Sequence, residues 1–263
     1  MILYSNAKVN LGLNILNKRI DGFHNISSVF YPTDFYSDII ELNISNEFNF
    51  TSSGIDLPGN NNTCIKAWNL MKKIYNTPNV NIHLHKRIPI GGGLGGGSSN
   101  AAFVLKSLND LFSLDISNDE LKYHALSIGA DCPFFIENIP KYVSGIGDKM
   151  EDISLDFENY KIRLFNPGIH VSTKEAYAEI IPSIPDSNIV DIIKNPIDTW
   201  RDLLVNDFEL IIFKRYPDLE KFKEKIYLMG AKYVSMSGSG SVFYGIFKKQ
   251  FIHSLLIKIH YYL

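Results

Sequence analysis

The sequence predicts a mixed α+β fold, and three observations lead there. Segments that alternate apolar and polar residues are interspersed with segments of helical spacing, without a strict one-for-one βα order. The 263 residues are enough for one large or two modest domains with a substantial core. The composition, 45% hydrophobic and 21% charged, is that of an ordinary globular chain.

Residues 1–50 read as strands and turns. In "KVNLGLNIL", Val9, Leu11, Leu13 and Ile15 share one face, and "DIIELNI" and "EFNFTS" read as further short strands. "GIDLPGNNN" is a loop by composition. "TCIKAWNLMKKIYN" has helical spacing, with Ile65, Trp68, Leu70 to Met71, and Ile74 or Tyr75 near one stripe. "NVNIHLHKRIPI" alternates again, Val80, Ile82 and Leu84 against Asn81, His83 and His85, as in a half-buried strand. "SSNAAFVLKSLNDLF" is a helix with Ser98 or Ser99 as its expected N-cap, and "SNDELKYHALSIG" a second one capped by Ser117 or Asn118.

Near residues 140–150 the pattern changes. "KYVSGIGDKMEDI" reads as a strand and turn, "YKIRLFNPG" as a strand, and "STKEAYAEI" as a capped helix. Helices are expected near 198–213 and 217–229, then a strand–turn–strand in "AKYVSMSGSGSVFYGIF". The end, "KQFIHSLLIKIHYYL", fits an amphipathic helix packed on the core.

The bulk numbers exclude several classes. A net charge of −2, with scattered lysines, argues against a dedicated nucleic-acid binder. Cys64 and Cys132 are far apart and form no CxxC, which suits a reduced intracellular protein. No leader pattern opens the chain, and no run reaches the ~18 apolar residues that span a bilayer. A cytoplasmic protein without membrane attachment is expected.

"PIGGGLGGGSSNAA", residues 89–102, holds six of the eighteen glycines. Glycine is costly to order, so the cluster requires a reason. Gly92 to Gly97 has Walker A spacing, but Ser98 stands where that loop needs lysine. Gly91, Gly93 and Gly96 match a dinucleotide GxGxxG, yet "LFSLDISNDELKYHA" replaces the second strand and its acidic end. What remains is a curled backbone feeding a helix N-terminus, with free N–H groups and two serine hydroxyls. That arrangement favours a phosphate, as in the polyphosphate of a nucleotide.

Phosphoryl transfer also needs a cation near the loop and an acid to take the acceptor proton. Lys8, Lys86 and Arg87 are the candidate cations. Asp131, in the apolar "GADCPFF", needs either a partner or a task. His83 and His85 share a strand face without a third ligand nearby, and Cys132 reads as a small packed residue.

Four segments in order, "AKVNLGLNI" (7–15), the glycine run, "SIGADCPFF" (127–135) and "MSGSGSVFYGIF" (236–247), resemble motifs of the GHMP kinases across nearly the whole chain. The resemblance implies a two-lobed α/β kinase fold. Residues 1–150 would form the N-terminal ATP and catalytic lobe, and residues 151–263 a ferredoxin-like α/β sandwich lobe on the substrate side. "KRIDGFH", "NPGIHVSTKEAY" and "LLVNDFE" are similar to one branch of the family. That branch phosphorylates the 2-hydroxyl of a cytidine-diphosphate-linked methylerythritol, in the non-mevalonate route to isoprenoids. Another kinase of the family, of homoserine or mevalonate type, is the alternative, as is a non-catalytic ligand sensor.

By the same resemblance Asp131 is the general base and Lys8 its partner. Pro89, Gly91, Gly92, Gly93, Leu94, Gly95, Gly96, Gly97, Ser98, Ser99 and Asn100 hold ATP phosphates, and Asn62 approaches the adenine. Mg2+ bridges the phosphates, with Ser99 as a candidate ligand. Phe23 and Tyr177 stack on the cytosine, His24 meets its edge, and Asn10, Lys86 and Thr173 contact substrate. The expected partner is this small molecule, with no nucleic acid or membrane, and the chain is a monomer or homodimer.

Overall fold

The computed structural model describes residues 1–59 and 62–251. In order, these form β1 (Ile2–Lys18), β2 (His24–Ile44), β3 (Asn49–Gly54), α1 (Thr63–Tyr75), β4 (Val80–Lys86), α2 (Gly96–Leu111), α3 (Asn118–Leu126) and α4 (Phe134–Glu137). There follow β5 (Lys141–Ser144), β6 (Lys149–Asp152), β7 (Tyr160–Phe165), α5 (Thr173–Glu179), α6 (Ile189–Ile193), α7 (Asp207–Arg215), α8 (Pro217–Leu228), β8 (Tyr233–Met236) and β9 (Phe243–Lys248). The expected terminal helix lies mostly outside the described residues.

Two compact units emerge. Among the described residues, the first takes Met1–Lys8, Pro32–Ile90 and Gly95–Ile139; the second takes Val9–Tyr31, Gly91–Leu94 and residues 140–251. Strands β1 and β2 therefore each run through both.

In the first unit, the far end of β2 pairs antiparallel with β4, Ile40 opposite Leu84 and Leu42 opposite Ile82. β3 joins β4 in parallel. The alternation of β4 is realised: Val80, Ile82 and Leu84 are buried while His83 and His85 meet the hydroxyls of Thr51 and Ser53. Helix α1 buries Cys64, Ala67 and Met71, so its inner stripe is shifted from the expected one. Trp68 is half-buried and lies flat on Phe48, centroids 3.7 Å apart and planes 10° apart.

In the second unit, the near end of β2 pairs with β5, and β5 with β6 as a hairpin. A separate antiparallel sheet has the order β7-β9-β8. Its core gathers Phe208, Ile212, Leu219 and Ile226 from α7 and α8 with Val234, Met236, Phe243 and Phe247. Trp200 is buried, and its indole N–H donates to Asn195 O at 2.9 Å.

In β1 the expected apolar face of Val9, Leu11, Leu13 and Ile15 is buried, and the opposite face is buried as well, with Lys8, Asn10 and Asn14 each given a polar partner. Two expectations require correction. Helix α2 is not capped by a serine. It starts at Gly96 behind Gly95, whose left-handed φ of 68° disfavours a side chain and where a Cβ would crowd Phe135 at 3.0 Å and Lys8 at 3.1 Å. The helix expected near 198 begins at Asp207, where Asn206 caps it by accepting from Phe208 N.

Candidate active site

The glycine run is divided between the units, Gly91–Leu94 in the second and Gly95–Gly97 in the first. In the first unit Lys8 Nζ lies 3.5 Å from Asp131 Oδ2. Lys8 is 3% exposed, while the Asp131 side chain is 32% exposed, so the lysine is fixed and the carboxylate is accessible. Burial holds the Lys8 pKa below the usual lysine range, and the charge of Asp131 opposes that fall. The Lys8 stem and the Phe135 ring pack against Gly95, about where a Cβ there would begin. The pair thus adjoins the start of α2.

The first turn of α2 carries no acidic residue, and its N–H groups and dipole favour an anion. Gly97 is exposed, and its carbonyl is held by the Thr63 hydroxyl at 2.7 Å. The Ser99 hydroxyl is buried and has no hydrogen-bond partner. Asn62 caps α1, accepting from Cys64 N at 2.8 Å. Pro89 is half-buried and Leu94 buried. Cys132 is buried beside Asp131, and burial pushes its thiol up to about 11.

Sequence reading missed Asp38. Its fully buried carboxylate pairs with Lys86 Nζ and accepts from Arg87 N at 2.7 Å, Ile88 N at 2.8 Å and Asn100 Nδ2 at 2.9 Å. Asn100 also donates to Ser5 Oγ at 2.8 Å. Asp38 therefore pins both flanks of the glycine run, the strand end before it and the helix after it. Lys86 and Asn100, taken from the sequence as ligand contacts, belong to this buried network. The signal was present: Asp38 has the same strand parity as the buried Ile40 and Leu42.

In the second unit, Gly91–Leu94 rests on the turn after β8. Ser237 Oγ donates to Gly93 O at 2.9 Å, and a Cβ on Gly93 would lie 1.8 Å from Ser237 O. Asn10 is 2% exposed; its amide donates to Ser28 Oγ at 3.0 Å and its N–H to Ser237 Oγ at 3.3 Å. Thr173 accepts from Ser239 Oγ at 2.9 Å. His24 and Tyr177 are brought together with ring centroids 5.4 Å apart, and Tyr177 also packs on Phe208. Phe23 presents its ring to solvent, 59% exposed. Burial, helped by the charge of Lys18, lowers the His24 pKa.

A buried lysine paired with an accessible carboxylate at a helix start, a glycine run curled against a second glycine turn, and a mixed α/β scaffold define a small-molecule phosphotransferase of a particular build. The chain belongs to the GHMP kinases: the model of their N-terminal domain matches residues 62–138, and that of their C-terminal domain residues 188–251. Among its relatives, the 4-diphosphocytidyl-2-C-methyl-D-erythritol kinase of Parabacteroides distasonis is 47% identical, over 95% of this chain and 92% of that protein. The kinase of the same name from Azobacteroides pseudotrichonymphae is 47% identical over 95% of both. A crystal structure of 4-(cytidine 5'-diphospho)-2C-methyl-D-erythritol kinase superposes with a TM-score of 0.84 at 29% identity, covering 98% of this chain and 96% of that one. Methanococcus jannaschii mevalonate kinase shares the fold, with a TM-score of 0.71 at 15% identity over 99% of this chain and 94% of that one. Among the described residues no helix is long and apolar enough to cross a membrane.

Proposed function

We propose that this chain transfers the terminal phosphoryl group of ATP to the 2-hydroxyl of 4-diphosphocytidyl-2-C-methyl-D-erythritol, giving the 2-phosphate and ADP. The observation that carries the reading is the Lys8–Asp131 pair, 3.5 Å apart, in a chain 47% identical to kinases named for that substrate.

Asp131 accepts the proton of the acceptor hydroxyl as its oxygen bonds to phosphorus. The bond from that phosphorus to the bridging oxygen breaks, and its electron pair leaves with ADP. Lys8 orients the carboxylate and offsets charge growing on the acceptor oxygen. The backbone of Gly91–Gly97 and the first turn of α2 receive the ATP phosphates, and Asn62 lies toward the adenine. His24 meets the cytosine edge, with Tyr177 and Phe23 supplying aromatic faces and Asn10 and Thr173 contacting the acceptor.

Mg2+ fits this donor set as an ion carried by the nucleotide. Among the described residues no cluster of three or more His, Cys, Asp or Glu is built to hold a metal, while the Ser99 hydroxyl at the start of α2 lacks a partner. Such an ion supplies Lewis-acid neutralisation of phosphate charge, and Ser99 would hold it.

The test is ATP consumption by the purified protein with the cytidylyl acceptor, and with homoserine and mevalonate in parallel. Turnover with the cytidylyl acceptor alone is expected, reduced by roughly 10²–10⁴ in Asp131→Asn. Equal turnover with the other acceptors, or full activity in the variant, contradicts the reading.

A further inference from the structure

The segment "LLVNDFE" remains without a task in the chemistry above, although three of its polar side chains are deeply engaged. Asn206 is 3% exposed. Its Oδ1 accepts from Phe208 N at 3.0 Å, which is the cap of α7. Its Nδ2 donates twice, to Met236 O at 3.0 Å and to Gly238 O at 2.8 Å. Capping uses the acceptor only, so it does not account for the two donations. These end on the last residue of β8 and on the turn after it, on either side of Ser237, which hydrogen-bonds Gly93 O.

The base of this arrangement is itself anchored. Asp207 accepts from Ile15 N at 2.7 Å and Asn14 Nδ2 at 3.1 Å. Glu209 accepts from Met236 N at 2.8 Å and Ser235 Oγ at 3.1 Å. On the other side Gly93 meets Ser237 backbone to backbone, with no flexible side chain between to absorb a shift. The turn and the glycine run are therefore in direct backbone contact.

We infer that Asn206 is a positioning residue for the nucleotide: through the 237–240 turn it sets where Gly91–Leu94 stands. The inference rests on the proposal that this run receives the ATP phosphates.

Asn206→Asp separates the two roles, because aspartate caps a helix as well as asparagine does but cannot make both donations. Asn188→Asp, at the exposed cap of α6, is the control. Ser237→Ala cuts the same route at its other end. Both route variants are expected to raise the KM for ATP about tenfold or more while the KM for the cytidylyl acceptor stays within about twofold. The control should match the parent chain. Hydrogen exchange in peptides covering 89–95 and 236–242 is expected to quicken in the route variants only. Parent-like ATP KM and exchange in Asn206→Asp overturn the inference, as does a loss of kcat with both KM values unchanged. If Asn206→Asp fails to fold, Ser237→Ala alone decides by the same two readouts. If the parent chain turns over no ATP, the kinase reading fails instead, and the exchange comparison still decides whether Asn206 sets the run.

Discussion

Lys8 shows how opposed effects at one side chain become a measurable pH limit. Burial favours its neutral form and Asp131 favours its charged form, and burial wins. The ammonium group is then lost as pH rises through a value below the ~10.4 of a free lysine. The alkaline limb of kcat is expected there, and Lys8→Arg should remove that limb while lowering kcat. A limb unchanged in the variant would assign it to another group. His24 has the opposite consequence at the acid end. Its lowered pKa keeps the imidazole neutral down to below the ordinary ~6.5, so the KM for acceptor should stay flat through neutrality. It should climb only in more acid solution, as the ring gains a proton, and a KM that climbs already near pH 7 would contradict this.

At the scale of elements, what holds the glycine run matters as much as its composition. Removing the Asp38 carboxylate leaves Lys86 charged and buried without its partner. Asp38→Ala is expected to lower unfolding stability by about 3–5 kcal/mol, read from denaturant midpoints. Gly93→Ala acts differently: the clash with Ser237 O, at a φ of 76°, should abolish ATP turnover, and full turnover would show that the turn can retreat. The sequence made some of this legible. Local signals sufficed for β4, for α3 with its Ser117 cap, and for α8, since each depends on neighbours within a few residues. Asp131 stands out as a charge in an apolar segment, whereas Lys8 reads as an ordinary strand lysine until the family resemblance singles it out, and the fold brings the two together. Asp38 and Asn206 did not stand out, because their partners lie 48 and 30 residues away in Lys86 and Met236. The cap of α2 was misread for a related reason: serine propensity yields where the backbone must enter at positive φ.

For the molecule as a whole, the course of the chain sets its cooperativity. β1 and β2 each contribute to both compact units, and the glycine run crosses between them again. Neither unit can lose its strands without disturbing the chain of the other. Calorimetry is expected to give one unfolding transition, shifted upward by ATP; at a hundredfold excess over Kd the gain is about 2.7 kcal/mol. Two resolved transitions would show that the units melt separately. The two tryptophans provide a spectroscopic route to the same question. Trp68, stacked on Phe48, belongs to one unit and Trp200, enclosed by core aromatics, to the other. Each unit therefore carries its own tryptophan, and a single Trp→Phe exchange leaves tryptophan emission that reports on one half of the protein alone.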